Sequence, residues 1–181
     1  MSFVPATFSA PREWRHPLFQ LQVLAPIHAE PDYEAVMTSA DAIRHVFGRD
    51  SDWPDPQMSF EENRGDLERH ETEFEQDVAY AYAMLDPAGE RYLGCVYIRP
   101  IKSRIEGDLR QQRYQAQTIF WLSSLHAQID AQQTLDILKA WIADGWPFER
   151  VAFPGREIDW PTWEAMARDA TLAEPAAAEP R

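Results

Sequence analysis

The stretch 78–98, VAYAYAMLDPAGERYLGCVYI, decides the fold class of this chain. It holds two runs rich in tyrosine, valine and isoleucine, Val78 to Leu85 and Tyr92 to Ile98, with Asp86-Pro87-Ala88-Gly89 between them. Proline suits the second position of a type I turn, and Gly89 suits the left-handed position that follows in a bulged hairpin loop. The stretch therefore predicts an antiparallel β-hairpin.

The segments before the hairpin predict one strand and two helices. Leu18 to Leu24 alternates apolar and polar residues before an apolar pair, which favours a short strand. From Pro31 the apolar residues recur at the three-and-four spacing of an amphipathic helix, which Gly48 ends. Ser59 and Glu62 form a capping box for the second helix, whose apolar seam is Phe60, Leu67 and Phe74.

The segments after the hairpin predict alternating strands and helices. A polar loop is expected from Lys102 to Gln115, followed by a nearly continuous apolar strand from Thr118 to Ser124, as at the centre of a sheet. Asp130 can cap a helix that ends at Gly145. The last elements are a short strand and a small helix, Arg150 to Phe153 and Trp160 to Arg168. This order predicts an α/β fold of the α+β type, with a mixed sheet flanked by helices.

The chain length predicts a single domain. With 181 residues and 45% hydrophobic content, the chain can bury one core, and we expect that domain to span residues 1–171. Residues 1–17 carry three prolines, which we expect to block regular pairing and leave an N-terminal arm packed by aromatic residues. Residues 172–181 have too little apolar bulk to order themselves, so we expect a flexible C-terminal tail.

Charge and cysteine content exclude several classes of protein. The chain has 17 basic and 30 acidic residues, a net charge of −13, which argues against nucleic acid and anionic membrane surfaces as partners. Cys95 is the only cysteine, so no intrachain disulfide forms, which suits a reducing compartment, and we expect a cytoplasmic location. No apolar run is long enough to span a bilayer or to serve as a signal peptide. The five histidines show no paired metal-ligand spacing, so no metal site is predicted.

Five sequence segments occur in this order of elements: DYEAVMTSADAIRHVFG, DSDWP, FEENRGDLERHETEFE, LDPAGERYLGCVYIRP and WPFERVAFPGR. Together they resemble the GNAT superfamily of N-acetyltransferases, in particular its small, poorly characterised bacterial members. The resemblance covers Phe19 to Trp163. It implies a GNAT-like acyl-CoA N-acyltransferase fold that holds acetyl-CoA in a cleft where the fourth and fifth strands of that fold separate.

The resemblance also implies which residues bind acetyl-CoA. Its pantetheine arm would pair with the strand that holds Trp121, Leu122 and Ser123, and its pyrophosphate would lie on the loop that holds His126 and Ala131. Backbone N–H groups at a helix N-terminus favour such an anion. The family loop carries glycines, whereas 124–131 reads SLHAQIDA, in which only Ala131 matches the family pattern.

The acceptor side is implied with less detail. In the family, the loop between the first two helices covers the acceptor, which places Trp53 beside it. Tyr82 and Tyr97 lie on the sheet near the cleft, and together with Tyr80 and Glu149 they are the candidates for a catalytic base. The helix after the fifth strand, DWPTWEAMARD, lacks the tyrosine that serves many family members as an acid, so no catalytic residue is assigned. The basic residues within 99–113 either bind phosphate or form a solvated loop.

Two functions stay open from the sequence. The first is an N-acetyltransferase that moves an acetyl group from acetyl-CoA to an unidentified amine, with a small molecule as the expected acceptor. The second is a non-catalytic GNAT-fold binding or interaction protein that has lost the pyrophosphate loop. A homodimer is a candidate assembly for either one.

Overall fold

The computed structural model of the chain describes residues 3–126 and 129–173. A six-stranded sheet runs in sequence order, and every neighbouring pair is antiparallel except the last, which is parallel. Its strands are β1 (Glu13–Arg15), β2 (Gln20–Val23), β3 (Tyr80–Leu85), β4 (Tyr92–Arg99), β5 (Ala116–Leu122) and β6 (Val151–Ala152). The predicted mixed sheet is therefore confirmed.

Helices cover both faces of this sheet. They are α1 (Ala29–Ile43), α2 (Phe60–Glu75), α3 (Leu109–Arg113), α4 (Ala131–Gly145), α5 (Trp160–Ala165) and α6 (Ala170–Ala173), with short 3₁₀ turns at Pro26–His28 and Ser124–His126. Helices α1 and α2 pack on one face, and α4 packs on the other together with the N-terminal segment. No helix within the two described ranges is long and apolar enough to cross a membrane.

The hairpin and the helix caps form as their local sequences predict. Gly89 has φ +76° in the β3–β4 turn, and the Asp86 carboxylate accepts hydrogen bonds from the Glu90 and Arg91 N–H groups. The Ser59 hydroxyl accepts from the Glu62 N–H at 3.2 Å, which completes the predicted capping box of α2. These elements depend on neighbours in sequence, which is why the sequence predicts them well.

Side chains alternate between two separate cores along the strands. On the α4 face, Tyr82, Phe120 and Leu138 belong to one cluster of buried residues. On the α1–α2 face, Cys95 and Trp121 belong to the other. Successive side chains of a pleated strand point to opposite faces of the sheet. Whether a residue is at an odd or an even position in its strand therefore decides which helices it contacts.

Two predictions about the irregular segments are wrong. The N-terminal arm contains β1, which pairs with β2 in the register Trp14↔Leu21, because its prolines flank the short strand and do not interrupt it. The polar loop 102–115 contains α3, whose N-terminus is capped by the Asp108 carboxylate accepting from the Arg110 N–H at 2.9 Å. In the C-terminal tail, residues 174–181 lie outside the described residues, so the tail stays a prediction.

Candidate functional site

A cleft opens where the parallel strands β5 and β6 separate. They pair only through Ala116↔Val151 and Gln117↔Ala152, and β5 then continues alone to Leu122. A cavity of about 240 Å³ lies here, between β5, the C-terminal end of α1 and the loop after β6. The sheet therefore presents an unpaired strand edge at the place where the resemblance puts the pantetheine arm.

The register of β5 shows which backbone groups face this cleft. The Ser123 N–H donates to the Leu93 carbonyl at 2.7 Å, so the odd-numbered residues of β5 bond to β4. Because the backbone groups of a strand alternate between its edges, those of Phe120 and Leu122 point to the opposite edge. Of the three strand residues predicted to bind acetyl-CoA, only Leu122 offers its backbone to the cleft, and Trp121 and Ser123 do not.

Arg156 reaches into the cleft from the loop after β6. Its guanidinium donates to the Phe120 carbonyl at 3.2 Å and lies 4.3 Å from the centre of the Phe120 ring. Burial lowers the pKa of this guanidinium, and no carboxylate within the described ranges forms an ion pair with it. One carbonyl of the free edge is thus already bound by the chain's own side chain.

The N-terminus of α4 does not fit a pyrophosphate in the family's manner. The Asp130 carboxylate accepts from the Gln133 N–H at 3.0 Å, so it takes one of the donors that would otherwise bind an anion. A phosphate there would also meet a like charge. Ala131 begins α4 as predicted, whereas the His126 side chain and residues 127–128 lie outside the described residues. The loop before them is fixed to α1, because the Ser124 N–H donates to the Ser39 hydroxyl at 2.9 Å.

A larger cavity of about 480 Å³ lies on the α1–α2 face of the sheet. Trp53 and Tyr97 both line it, so the structure brings together two of the three residues predicted to contact the acceptor. The Trp53 ring lies 5.0 Å from the Phe47 ring, and the Tyr97 hydroxyl accepts from the Trp121 indole N–H at 3.2 Å. Gln117, the last residue of β5 that pairs with β6, also lines the cavity.

Tyr82 does not join this cavity. It lies on the α4 face, fully buried, and its hydroxyl donates to the Pro11 carbonyl at 2.7 Å. The expectation that it accompanies Trp53 and Tyr97 at one site is thus not met. The reason is parity: Tyr82 pairs with Val96 in the β3–β4 register, whereas Tyr97 is one residue further on and points to the other face.

A buried carboxylate closes one wall of the larger cavity. Asp32, in the first turn of α1, accepts from the Tyr92 hydroxyl at 2.6 Å and from the Asn63 amide at 2.8 Å. The Cys95 thiol donates weakly to it at 3.4 Å. Burial raises the pKa of Asp32, and these hydrogen bonds oppose that rise. Asp32 is held in place by three partners, so it orders this wall.

His70 and Arg99 also line this cavity. The His70 ring is tilted against the Tyr97 ring with centroids 5.4 Å apart, and burial together with Arg69 and Arg99 lowers its pKa to about 3. The imidazole is therefore neutral at physiological pH. Arg99 ends β4 and lies over the Phe47 ring at 5.1 Å, and burial lowers the pKa of its guanidinium.

The sequence analysis missed three of these residues. Asp32 stands four positions before Val36 on the apolar stripe of α1, and a carboxylate on a buried stripe is a signal that the sequence did offer. Arg99 fell within the basic stretch 99–113, of which Lys102 also lines the cavity, whereas Arg110 pairs with Asp108 at 2.6 Å and does not line it. Arg156 carried no signal, because only the fold brings it to Phe120.

Comparisons with known proteins rest on structure alone. No family model and no curated protein sequence matches this chain significantly. Solved structures do match, and those with the stronger likeness are acetyltransferases, so the chain has the fold of the GNAT acetyltransferases, with a mixed sheet flanked by helices.

Two neighbours illustrate the likeness. One is the Salmonella typhimurium acetyl transferase that modifies the N-terminal serine of 50S ribosomal protein L7/L12, with TM-score 0.55, 16% identity, and coverage of 76% of this chain and 71% of that one. The other is RimL, a ribosomal L7/L12 α-N-protein acetyltransferase, in complex with coenzyme A, with TM-score 0.53, 18% identity, and coverage of 71% and 65%. At these identities the likeness defines the fold and leaves the activity to be argued from the site.

Within residues 3–126 and 129–173, no group of three or more histidine, cysteine, aspartate or glutamate side chains is placed to hold a metal ion. Cys95 is fully buried and hydrogen-bonded to the Tyr92 hydroxyl at 2.9 Å, and burial raises its pKa well above the usual range. It is therefore a packed thiol and not an activated nucleophile.

Proposed function

We propose that this protein is an N-acetyltransferase that transfers an acetyl group from acetyl-CoA to an amine. The observation that carries the proposal is the separation of β5 from β6 after Gln117, which leaves a strand edge facing a cleft, and a larger cavity lies on the α1–α2 face of the same sheet. Acetyl-CoA, when bound, supplies an acetyl thioester ready for attack by an amine. Each remaining part of the reaction falls to the chain's own residues.

The β5 edge would supply the hydrogen bonds for the pantetheine arm. Phe120 and Leu122 offer backbone groups there in the manner of a strand awaiting a partner. Backbone N–H groups aimed at a developing oxyanion stabilise acyl transfer strongly, because they need no reorganisation. This supports a role for the backbone of β5 in place of an assigned side-chain acid.

The larger cavity would receive the acceptor amine. Its volume of about 480 Å³ lies within the usual range of ligand sites, roughly 300–1,000 Å³. Trp53 and Tyr97 would pack against the acceptor, and neutral His70 lies beside them. One of the two structural neighbours modifies the N-terminal serine of L7/L12 and the other is an L7/L12 α-N-protein acetyltransferase, so a peptide N-terminus stands beside a small-molecule amine as a candidate acceptor.

A second candidate is a GNAT-fold protein without catalysis, and two observations favour it. The Asp130 carboxylate occupies the helix N-terminus where the family binds pyrophosphate, and the Arg156 side chain binds the Phe120 carbonyl inside the cleft. In this reading the cleft is closed by the chain itself, and the protein acts by binding a partner.

Thermal unfolding with added ligand separates the two candidates. Acetyl-CoA at 100 times its dissociation constant should stabilise a true binder by about 2.7 kcal/mol, with 3′-phospho-ADP as the nucleotide control and calorimetry as the second measurement. A matched variant, Asp130→Asn, keeps the cap but removes its charge, so binding should tighten in that variant if the pyrophosphate lies at α4. No shift at millimolar acetyl-CoA in either protein would exclude the transferase and favour the non-catalytic candidate.

A further inference from the structure

Arg99 is a half-buried cation that forms no ion pair within the described part of the chain. Its Nε atom is inaccessible to solvent and has no hydrogen-bond acceptor. Burial lowers the pKa of the guanidinium, because the nearby groups of the chain do not fully offset the loss of water around its charge. Taking part of a charged group out of water without an ionic partner is unfavourable, so such groups in natural proteins are usually paired or face a ligand or an ion.

The carboxylates around the cavity are already engaged elsewhere. Glu73, which acts on Arg99 only at long range, lies 3.4 Å from an Arg69 nitrogen and 3.6 Å from the His70 Nδ1. Asp66 pairs with Arg69 at 3.1 Å. Asp32 accepts from its own three donors. The acids of the wall therefore compensate other groups, and Arg99 keeps its donors available.

The surroundings of Arg99 hold its guanidinium in one orientation. The Phe47 ring lies 5.1 Å below it, and cation–π contact with a ring fixes a guanidinium plane while leaving its edges open to acceptors. Gln117 faces Arg99 directly in the β4–β5 register, and Gln117 is where β5 parts from β6. Arg99 thus lies across from the residue at which β5 and β6 separate.

We propose that this cavity binds a ligand that carries a carboxylate, with Arg99 as the residue that receives it. The planar fork of a guanidinium matches a carboxylate through two parallel hydrogen bonds, and the aromatic wall of Trp53 and Tyr97 suits an apolar body attached to it. If the protein is the transferase proposed above, its acceptor is an amine that also carries a carboxylate. This acceptor is either a free amino acid or a peptide with an acidic side chain.

Binding of a simple carboxylate tests this without any acetyl transfer. We would titrate the purified protein with phenylacetate and with its uncharged counterpart phenylacetamide, following tryptophan fluorescence and unfolding temperature at constant ionic strength. Phenylacetate should give a saturable change and phenylacetamide none. Arg99→Met should abolish the response, and the exposed Arg150→Met, outside the cavity, should keep it.

A second variant covers the case in which Arg99→Met does not fold. Arg99→Lys keeps the charge but lacks the planar fork, and it should weaken phenylacetate binding about tenfold. Equal responses of the wild type and either folded Arg99 variant would overturn the proposal, as would equal responses to the acid and the amide. These titrations contain no acetyl-CoA, so the two proposals fail separately. If acetyl-CoA does not raise the unfolding temperature, only the proposed transferase activity is contradicted. If phenylacetate gives no response, only the proposed carboxylate site is contradicted.

If both sites bind, acetyl transfer identifies the source of the carboxylate. Phenylalanine and phenethylamine would be compared as small acceptors, and the peptides Ser-Glu-Ala and Ser-Gln-Ala as N-terminal acceptors. Preference for phenylalanine over phenethylamine points to free amino acids, and preference for the Glu peptide over the Gln peptide points to acidic peptides. Equal rates within both pairs would contradict the acceptor class.

Discussion

Substituting Gly94 with alanine tests the contact between β4 and β5 on which the cleft depends. Gly94 has φ +150°, and a Cβ atom there would lie 2.0 Å from the backbone carbonyl oxygen of Trp121. Neither group can rotate away, since both belong to the backbone of adjacent strands. Gly94→Ala must therefore push the strands apart at the end of β5 that faces the cleft.

Two effects together set the loss of unfolding free energy expected for Gly94→Ala. A non-glycine residue held in a sparsely populated backbone conformation costs about 1–3 kcal/mol. Overpacking in a rigid site costs about 1–3 kcal/mol more. Their combined central value is about 4 kcal/mol, and for a domain of this size each kcal/mol lowers the unfolding temperature by roughly 2–4 °C. We expect Gly94→Ala to unfold roughly 8–16 °C below the wild type.

Gly65→Ala is a matched control that should raise the unfolding temperature instead of lowering it. It lies inside α2, and a Cβ atom there would meet nothing within 4 Å. Alanine is favoured over glycine within a helix by about 1 kcal/mol, so Gly65→Ala should raise the unfolding temperature by a few degrees, roughly 2–4 °C. Circular dichroism melts of the three proteins check both signs. A Gly94→Ala melt within 2 °C of the wild type would refute the close β4–β5 contact.

Two further predictions concern buried side chains. The folded pKa of His70, about 3, lies below its unfolded value, so the stability it contributes is complete above pH 6.5 and is lost as the pH falls toward 3. Between pH 6.5 and pH 5 the wild type should lose about 2 kcal/mol of unfolding free energy through this group, and His70→Gln should lose correspondingly less in urea titrations. Equal losses would show that His70 is not buried as described. Cys95, fully buried with a raised pKa, should react with a thiol reagent such as DTNB only in denaturant, and fast labelling of the native protein would contradict its position.

Local chemistry made much of the fold predictable. The Asp86-Pro87-Ala88-Gly89 turn, the Ser59 cap and the Asp130 cap each depend on residues a few positions apart, and all three form. β1 was not predicted, because the strand forms by pairing with β2, and the local sequence with its three prolines does not show this pairing. The family resemblance supplied the topology, which local patterns alone left open.

The candidate site was predictable only in part. Trp53 and Tyr97 were expected near the acceptor, and both line the larger cavity. Tyr82 was expected with them, yet one step of strand parity puts it on the other face. Their roles in binding stay predictions until the titrations above are done. Arg99 lay within a basic stretch whose local sequence could not show which members line the cavity.

The sequence by itself determined the order of elements, the turn, the helix caps and the acidic, single-cysteine character of the chain, because periodicity and turn chemistry act over a few residues. The tertiary structure decided which side chains share a cavity, because this depends on register and on contacts between distant segments. Arg156 meets Phe120, and Arg99 meets Phe47, only after the sheet and helices assemble. The free edge of β5 is likewise invisible in sequence, since it exists only because β6 ends at Ala152.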